Sequence, residues 1–288
     1  MLKLKDILTE QRSQITDLFI GQARPEFDSD SILQNISTAG EKIASKLLTK
    51  LGAIDIEVTP NMSTSDVINK IKVLAVKGLM RPGQGLNSIT ISSHNTGCGK
   101  FNYDIVQGAE QFWKLLSRFC DTNTKIFLGG CSVASEPKVV ARIAKVTNCT
   151  VTAPTGTYYP ITGAVSKTKD SFNLSQRLGK YITCTNKPAG DESKYNKFMY
   201  AHLRDLFDPE TPLSVGRKMS IIKDFQNDLN YVSTDGYEKL NQNQTNERLI
   251  STVLEQLTIR LIKDYIKSLG CYASKENPIQ GTRQAIFK

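Results

Sequence analysis

Common signatures of membrane insertion, secretion and metal binding are missing from this sequence. No stretch approaches the roughly 18 apolar residues of a membrane-spanning helix, and the first residues form a charged, helix-like pattern rather than a signal peptide. The six cysteines are scattered, with no C-x-x-C pair and no histidine cluster, so zinc-ligand spacing is absent. We therefore expect a soluble protein with no membrane span and no metal, in a reducing compartment, whose cysteines stay reduced and mostly fill the core.

Motifs of several other enzyme classes are also missing. The serine-hydrolase elbow G-x-S-x-G has no match, because residues 129–133 (Gly-Gly-Cys-Ser-Val) lack the glycine two positions after the central residue. Neither a Walker loop nor a dinucleotide fingerprint occurs. These absences argue against a Ser-His-Asp hydrolase and against nucleotide binding through those two motifs.

Positive charge is unevenly distributed along the chain. The formal net charge is +9, and residues 136–187 contain eight basic residues against two acidic ones, a local excess of +6. Such a surplus favours an anionic partner, although an ordinary solvated basic face explains it equally well. Because aromatic residues are few in this segment, the sequence does not favour nucleic acid as that partner.

Strand and helix patterns alternate over residues 53–153. The predicted strands are residues 54–58, 88–92, 125–128 and 149–152. Between them, helices are predicted from about residue 65, over 103–119 and over 136–147. This alternation predicts an α/β fold with a mainly parallel sheet and crossover helices on its faces.

Both ends of the chain are predicted to be helical. Residues 1–50 carry apolar residues at helical spacing, Leu18 among them. The later helices are predicted over residues 194–207, 215–229 and 247–269. We therefore expect a helical N-terminal extension (1–52), an α/β core (53–188) and a helical C-terminal lobe (189–288).

Histidine is scarce, since only His94 and His202 occur. His94 lies just past the predicted strand 88–92, and Cys131 lies just past the next strand, 125–128. Because the carboxyl ends of neighbouring parallel strands meet at one edge of a sheet, these two side chains are expected to come within reach of each other. A cysteine nucleophile needs a base to take its proton, so the pair predicts a Cys–His nucleophilic site.

The residues around Cys131 fit that interpretation. Gly129 and Gly130 allow a sharp turn and the close approach of a substrate backbone. Small residues beside a nucleophile also leave backbone N–H groups free to face a developing oxyanion. The helix predicted over 136–147 would favour a thiolate near its N-terminus.

Simpler explanations exist for each of these residues. A lone cysteine after a strand is usually an inert core residue, and a Gly-Gly pair is usually just a turn. Cys98, in a Gly-rich loop four residues after His94, is the competing reactive thiol. His202, inside a predicted helix, is explained as a half-buried structural histidine.

The arrangement resembles the caspase-like (clan CD) cysteine peptidases. Residues 88–94 (Ser-Ile-Thr-Ile-Ser-Ser-His) resemble their histidine strand, and residues 125–131 (Lys-Ile-Phe-Leu-Gly-Gly-Cys) resemble their cysteine strand. The continuation through residues 149–156 (Cys-Thr-Val-Thr-Ala-Pro-Thr-Gly) is similar to bacterial caspase-like domains of toxins, large adhesins and secreted effectors. The similarity covers about residues 53–165, and it implies a caspase-like sheet flanked by helices.

The resemblance implies a catalytic dyad that has no obligatory third acid and needs no cofactor for its chemistry. His94 would be the general base and Cys131 the nucleophile of an acyl-enzyme. The backbone N–H groups of Cys131 and Asn95 would form the oxyanion hole. The family usually has glycine after the histidine, whereas this chain has Asn95, a residue that tolerates positive φ better than most.

Some bacterial members of this family are activated by inositol hexakisphosphate, a host-cell polyanion held by lysine and arginine side chains. The resemblance therefore implies that the basic stretch after Cys131 holds this activator. The residues expected to contact it are Lys167, Lys169, Arg177, Lys180 and Lys187. It also implies a bacterial virulence effector, secreted without a classical signal peptide, that cuts a host or self protein in the host cytosol.

Three functions stay open on the sequence alone. The first is a cysteine endopeptidase, and the second is a thiol-dependent acyl transferase or amidase that uses the same two residues. The third is a catalytically inactive caspase-like module that binds an anionic partner or a membrane surface. Only in the third case would Cys131→Ala be silent while charge reversal at Lys167 and Lys169 abolished function.

Overall fold

The computed structural model is an α/β protein built around a mostly parallel sheet. It describes residues 17–22, 53–59, 61–83, 85–92, 109–159, 164–168, 174–187, 190–207, 212–231, 240 and 246–278. Four residues that the sequence singles out, His94, Asn95, Cys98 and Lys169, lie outside the described residues.

Among the described residues, seven strands form the main sheet. These strands are β1 (Asp17–Gln22), β2 (Ile54–Val58), β3 (Ser88–Ser92), β4 (Lys125–Leu128), β5 (Thr150–Pro154), β8 (Tyr181–Cys184) and β9 (Cys271–Ser274). A separate hairpin is formed by β6 (Thr157–Tyr159) and β7 (Ala164–Ser166). The order across the sheet is β2-β1-β3-β4-β5-β8-β9, and β8 runs in the opposite direction to the other six strands. The predicted mainly parallel sheet is thus confirmed.

Helices flank the sheet and follow it along the chain. They are α1 (Thr64–Val76), α2 (Glu110–Leu116), α3 (Pro137–Thr147), α4 (Ser193–Phe207), α5 (Val215–Leu229) and α6 (Glu247–Ser268). A capping box between Ser63 and Asp66 begins α1, and the Asn246 side chain caps α6. The helices predicted after residue 53 are confirmed where they are described; residues 103–108, the start of one of them, lie outside the described residues. None of the described helices is both long and apolar enough to cross a membrane.

The core lies between the sheet and these helices. On α3 the apolar side chains Val140, Ile143 and Ala144 are buried, whereas Arg142 and Lys145 are exposed. This division of α3 into two faces follows from the helical period of the sequence, because residues three and four apart share a face. The buried face fixes α3 against the sheet, and the charged face is left on the outside.

One strand occupies a region that the sequence predicts to be helical. Asp17–Gln22 form β1, which lies between β2 and β3 and pairs in parallel with both. The helical prediction is therefore wrong for these residues. Leu18, Phe19 and Ile20 are all buried, and a strand covered on both faces shows no alternation of apolar and polar residues. Such a short apolar run fits the helical and the strand period equally well.

The C-terminal region contributes a strand in addition to its helices. β9 follows α6 and pairs with β8, so that Cys184 lies directly opposite Cys271 and is joined to it by a disulfide bond. The expectation of reduced thiols is wrong for this pair. The physical reason is the strand register, because directly opposed residues have Cβ atoms only about 5 Å apart. Since β1 precedes residue 53 and β9 follows residue 188, all three predicted segments of the chain contribute to one sheet.

Candidate active site

Cys131 lies at the carboxyl end of β4, three residues past Leu128. β3 and β4 are parallel neighbours with Ile91 opposite Leu128. The Gly129 N–H donates to the Ile91 carbonyl over 2.6 Å, which extends this pairing by one residue. Cys131 and the chain leaving β3 therefore emerge at the same edge of the sheet. The predicted relation between the two strands is confirmed.

The residues predicted to act with Cys131 follow β3. Its last residue is Ser92, two positions before His94. His94 and Asn95, and likewise the competing thiol Cys98, lie outside the described residues. The roles assigned to them stay predictions, and they rest on the position of β3 beside β4.

The Cys131 thiol is partly exposed and forms no disulfide. Its Sγ lies 3.9 Å from the carbonyl oxygen of Tyr158. Among the described residues, the backbone N–H of Cys131 donates to no backbone carbonyl. A backbone N–H at the nucleophile is one of the donors from which an oxyanion hole is built.

A turn in an unusual conformation follows Cys131. Ser132 has φ 54° and ψ 24°, in the left-handed region that residues other than glycine rarely adopt. Its N–H donates to the Gly156 carbonyl over 2.8 Å, and its own carbonyl accepts from the Ser135 N–H over 2.9 Å. Such conformations persist only where surrounding contacts hold them, and they are concentrated at functional sites.

The turn continues as a short 3₁₀ helix, Val133–Ser135, before α3 begins at Pro137. The Ser175 hydroxyl donates to the Ala134 carbonyl and ties this segment to the chain that precedes β8. Because the field of a helix terminus falls off within about one turn, the 3₁₀ segment weakens any support that α3 offers to a thiolate at Cys131. The sequence-based expectation of that support is corrected accordingly.

An aromatic cluster lies beside the carboxyl end of β4. The Phe127 ring meets Tyr158 edge-on with centroids 5.3 Å apart, and Tyr181 lies 6.4 Å from Phe127. All three side chains are buried, and burial raises the pKa of Tyr181 above its usual range. Because the Tyr158 carbonyl also approaches the Cys131 sulfur, the β6–β7 hairpin forms a wall next to the thiol.

Gly156 connects this wall to the turn at Ser132, a role that the sequence did not predict. A Cβ at Gly156 would overlap the carbonyl oxygen of Ser166 and lie 3.3 Å from a Val165 methyl group. We expect Gly156→Ala to lower the free energy of unfolding by about 1–3 kcal/mol, because the hairpin backbone must shift to accept a methyl group. Urea unfolding followed by circular dichroism measures this.

A matched glycine provides the control for that prediction. Gly216 lies near the start of α5, and a Cβ there would have no heavy atom within 4 Å. Gly216→Ala is expected to be neutral or slightly stabilising, because alanine favours the helix more than glycine does. Equal stability of Gly156→Ala and the unchanged protein would contradict the contact between Gly156 and the hairpin.

The remaining described thiols differ from Cys131. Cys120 and Cys149 are free, and their thiols donate to the Leu116 and Thr147 carbonyls respectively, each over 3.2 Å. The neighbouring Cys149 thiol, together with burial, raises the pKa of Cys120 well above its usual range. Cys120 is therefore expected to react slowly, which makes it an internal comparison for Cys131.

The structure does not bring all of the predicted anion-binding residues together. Lys167 and Arg177 lie in one region, and Lys187 lies at the far end of β8 from Lys180. Thr168 and Gln176 hydrogen-bond through their side chains over 2.8 Å, which brings the neighbouring residues Lys167 and Arg177 to the same region. Lys180 and Lys187 lie before and after β8. β8 runs between them, so they stand at opposite ends of that strand and the structure does not bring them together.

His202 lies on α4, away from the strand ends that carry the predicted dyad. It is 8% exposed, packs against Phe198 with ring centroids 4.5 Å apart, and has Nε2 3.4 Å from the Asp224 carboxylate. Burial lowers the pKa of His202 below its usual value, and the Asp224 charge opposes that shift. These contacts favour a structural role.

Among the described residues, no group of three or more potential ligand side chains is placed to hold a metal ion.

Comparisons with known proteins do not assign this chain to a family. No protein-family model matches it, and no curated protein matches it either. The likeness to caspase-like peptidases stays a resemblance carried by residues 88–94 and 125–131, and the function has to be inferred from the site itself.

Proposed function

We propose that this chain is a cysteine endopeptidase in which Cys131 is the nucleophile and His94 the general base. The observation that carries the proposal is the parallel pairing of β3 with β4. Through this pairing, a partly exposed cysteine and the segment that contains one of the two histidines leave the sheet at the same edge. Ligand sites of open parallel sheets lie at this edge.

The proposed reaction uses these groups in two stages. His94 takes the proton of the Cys131 thiol, the sulfur attacks the scissile carbonyl carbon, and the resulting oxyanion accepts hydrogen bonds from the N–H groups of Cys131 and Asn95. The amine then leaves with the proton from His94, and a thioester remains on Cys131. Water deprotonated by His94 attacks this thioester, releases the acid and returns the proton to the sulfur.

The β6–β7 hairpin is the proposed wall of the substrate groove. The Tyr158 carbonyl lies near the sulfur, so a peptide bound at Cys131 would lie against this hairpin. Neither Tyr158 nor its partner Phe127 carries a charge, and both are buried. This wall can contact a substrate backbone but offers no charged group with which to select a side chain.

The proposal includes a regulated role for the enzyme as a bacterial effector that cleaves a host or self protein. Inositol hexakisphosphate is the proposed activator, and the surplus of basic residues after Cys131 supports an anionic regulator. Lys167, Arg177 and Lys180 are the proposed contacts among the described residues, with Lys169 beside them in sequence. Lys187, at the other end of β8, is the least suited member of the predicted set.

Rapid alkylation tests this assignment. At pH 6 we expect iodoacetamide to modify Cys131 at least about tenfold faster than Cys120, because a base-activated cysteine holds thiolate character at a pH where an ordinary thiol does not. Peptide mapping by mass spectrometry after short exposures gives both rates in one sample. Repeating the series with inositol hexakisphosphate shows whether this polyanion accelerates the reaction at Cys131.

Two histidine variants make the alkylation result specific. His94→Ala is expected to slow Cys131 to the rate of an ordinary thiol, whereas His202→Gln should leave its rate unchanged. If Cys131 and Cys120 react at equal rates with and without the polyanion, the peptidase assignment is wrong. The basic surface would then favour the alternative, a catalytically inactive module that binds an anion.

A further inference from the structure

A basic cavity of about 420 Å³ lies along the exposed face of α3. Lys138, Arg142 and Lys145 line it from α3. Their spacing of four and three residues places them on one face of the helix, opposite the face that is buried against the core. Three positive charges therefore line one open surface cavity.

These three cations lack partners within the described part of the chain. None of them forms an ion pair there. Glu110 lies close enough to interact weakly with Arg142, but it is engaged by Lys114 at 2.6 Å. Of the residues that line the cavity, Glu192 alone carries a negative charge. Since like charges on one helix face repel each other, an anion in this cavity would relieve an existing repulsion.

The position of the cavity separates it from Cys131. Its far wall includes Thr185 and Asn186, which follow β8. Because β8 is antiparallel to β5, with Tyr181 opposite Pro154, the chain after Cys184 leaves the sheet at the edge away from the carboxyl ends of β4 and β5. The cavity is also distinct from the cluster of Lys167 and Arg177, neither of which lines it.

We propose that this cavity binds a small sugar monophosphate. The three cations and Glu192 leave a net charge of +2, which balances the charge of about −2 on a phosphate monoester, and the planar fork of Arg142 can hold two phosphate oxygens at once. The Glu192 carboxylate supplies an acceptor for sugar hydroxyls. The volume suits a small molecule. No aromatic side chain lines the cavity, so it offers no platform for stacking a base and favours a sugar phosphate over a nucleic acid.

Isothermal titration calorimetry at low salt tests the proposal. Glucose 6-phosphate is the probe, with glucose, inorganic phosphate and a single-stranded oligonucleotide as comparisons. We expect binding of glucose 6-phosphate, weaker binding of inorganic phosphate and no heat from glucose. Arg142→Gln should weaken the binding of glucose 6-phosphate by at least about tenfold, because a bidentate charged contact is lost.

Two further variants complete the design. Arg248→Gln removes an exposed arginine from the first turn of α6, outside the cavity, and should leave the affinity within about twofold of its original value. Glu192→Gln should reduce the preference for glucose 6-phosphate over inorganic phosphate, because a carboxylate accepts hydroxyl hydrogen bonds more strongly than an amide does. Thermal melting of each variant confirms that it is folded.

Three results would overturn the proposal. These are no binding of glucose 6-phosphate by the unchanged protein, equal weakening by Arg142→Gln and Arg248→Gln, and tighter binding of the oligonucleotide than of the sugar phosphate. The binding measurement needs no peptidase activity and leaves Cys131 intact. The outcome is therefore independent of the proposed function.

Discussion

Cys131→Ala is expected to abolish peptide cleavage, with a fall of at least about a thousandfold in kcat/KM. The substitution removes the sulfur that would form the thioester, and no other described thiol lies at the carboxyl edge of β3 and β4. A peptide library digested with the unchanged protein and analysed by mass spectrometry first identifies a cleaved sequence. Rates on that peptide with each variant then give the ratio.

Cys120→Ala provides the matched control for this prediction. Cys120 is also a free, partly buried thiol, but it is engaged with Cys149 and has no place in the proposed reaction. We expect Cys120→Ala to retain cleavage within about threefold of the original rate, with any change arising from stability. If Cys131→Ala cleaves the peptide at the original rate, Cys131 is not the nucleophile, and this conclusion does not depend on the role of His94.

The parts of the fold with a clear period could be predicted from the sequence. The alternation in Ile54–Val58 and the amphipathic pattern of α3 each specify one element, because a half-buried strand and a half-buried helix have different periods. β1 could not be identified in this way, since its consecutive apolar residues are buried on both faces. β9 is four residues long and exists through its pairing with β8, a contact between segments far apart in the chain.

The candidate site likewise has features that could be predicted from the sequence and features that could not. The placement of Cys131 at the edge reached by β3 follows from topology, since adjacent parallel strands end together. The positive φ of Ser132 and the contact of Gly156 with Ser166 depend on where the β6–β7 hairpin lies. Nothing within a few residues of either position signals that placement, so these features required the structure.

The basic residues after Cys131 show that a charge count over a segment does not reveal which charges lie together in the fold. The excess over residues 136–187 includes the three cations of α3, yet only the structure shows that they share a cavity. Lys180 and Lys187 are close in sequence, but β8 separates them. Successive strand residues advance by about 3.3 Å, so neighbouring charges along a strand are soon too far apart to hold one ligand.

Reducing the Cys184–Cys271 bond is expected to lower the free energy of unfolding by about 2–4 kcal/mol. The bond joins residues 87 positions apart, and a cross-link that closes a long loop restricts the unfolded chain most strongly. Both cysteines are buried, Cys184 at 0% and Cys271 at 5% exposure, so a reductant reaches them only when the chain opens. Urea unfolding, after refolding with or without reductant, measures the difference.

The double variant Cys184→Ala with Cys271→Ala separates the bond from other effects of the reductant. It should be less stable than the oxidised protein by a similar amount, and reductant should not change its stability further. If reductant does not change the stability of the natural sequence, the two thiols are unpaired in solution and the expectation of reduced cysteines holds for this pair as well. If the loss is observed, burial explains how a disulfide between β8 and β9 can persist under mildly reducing conditions that keep the partly exposed Cys131 thiol free.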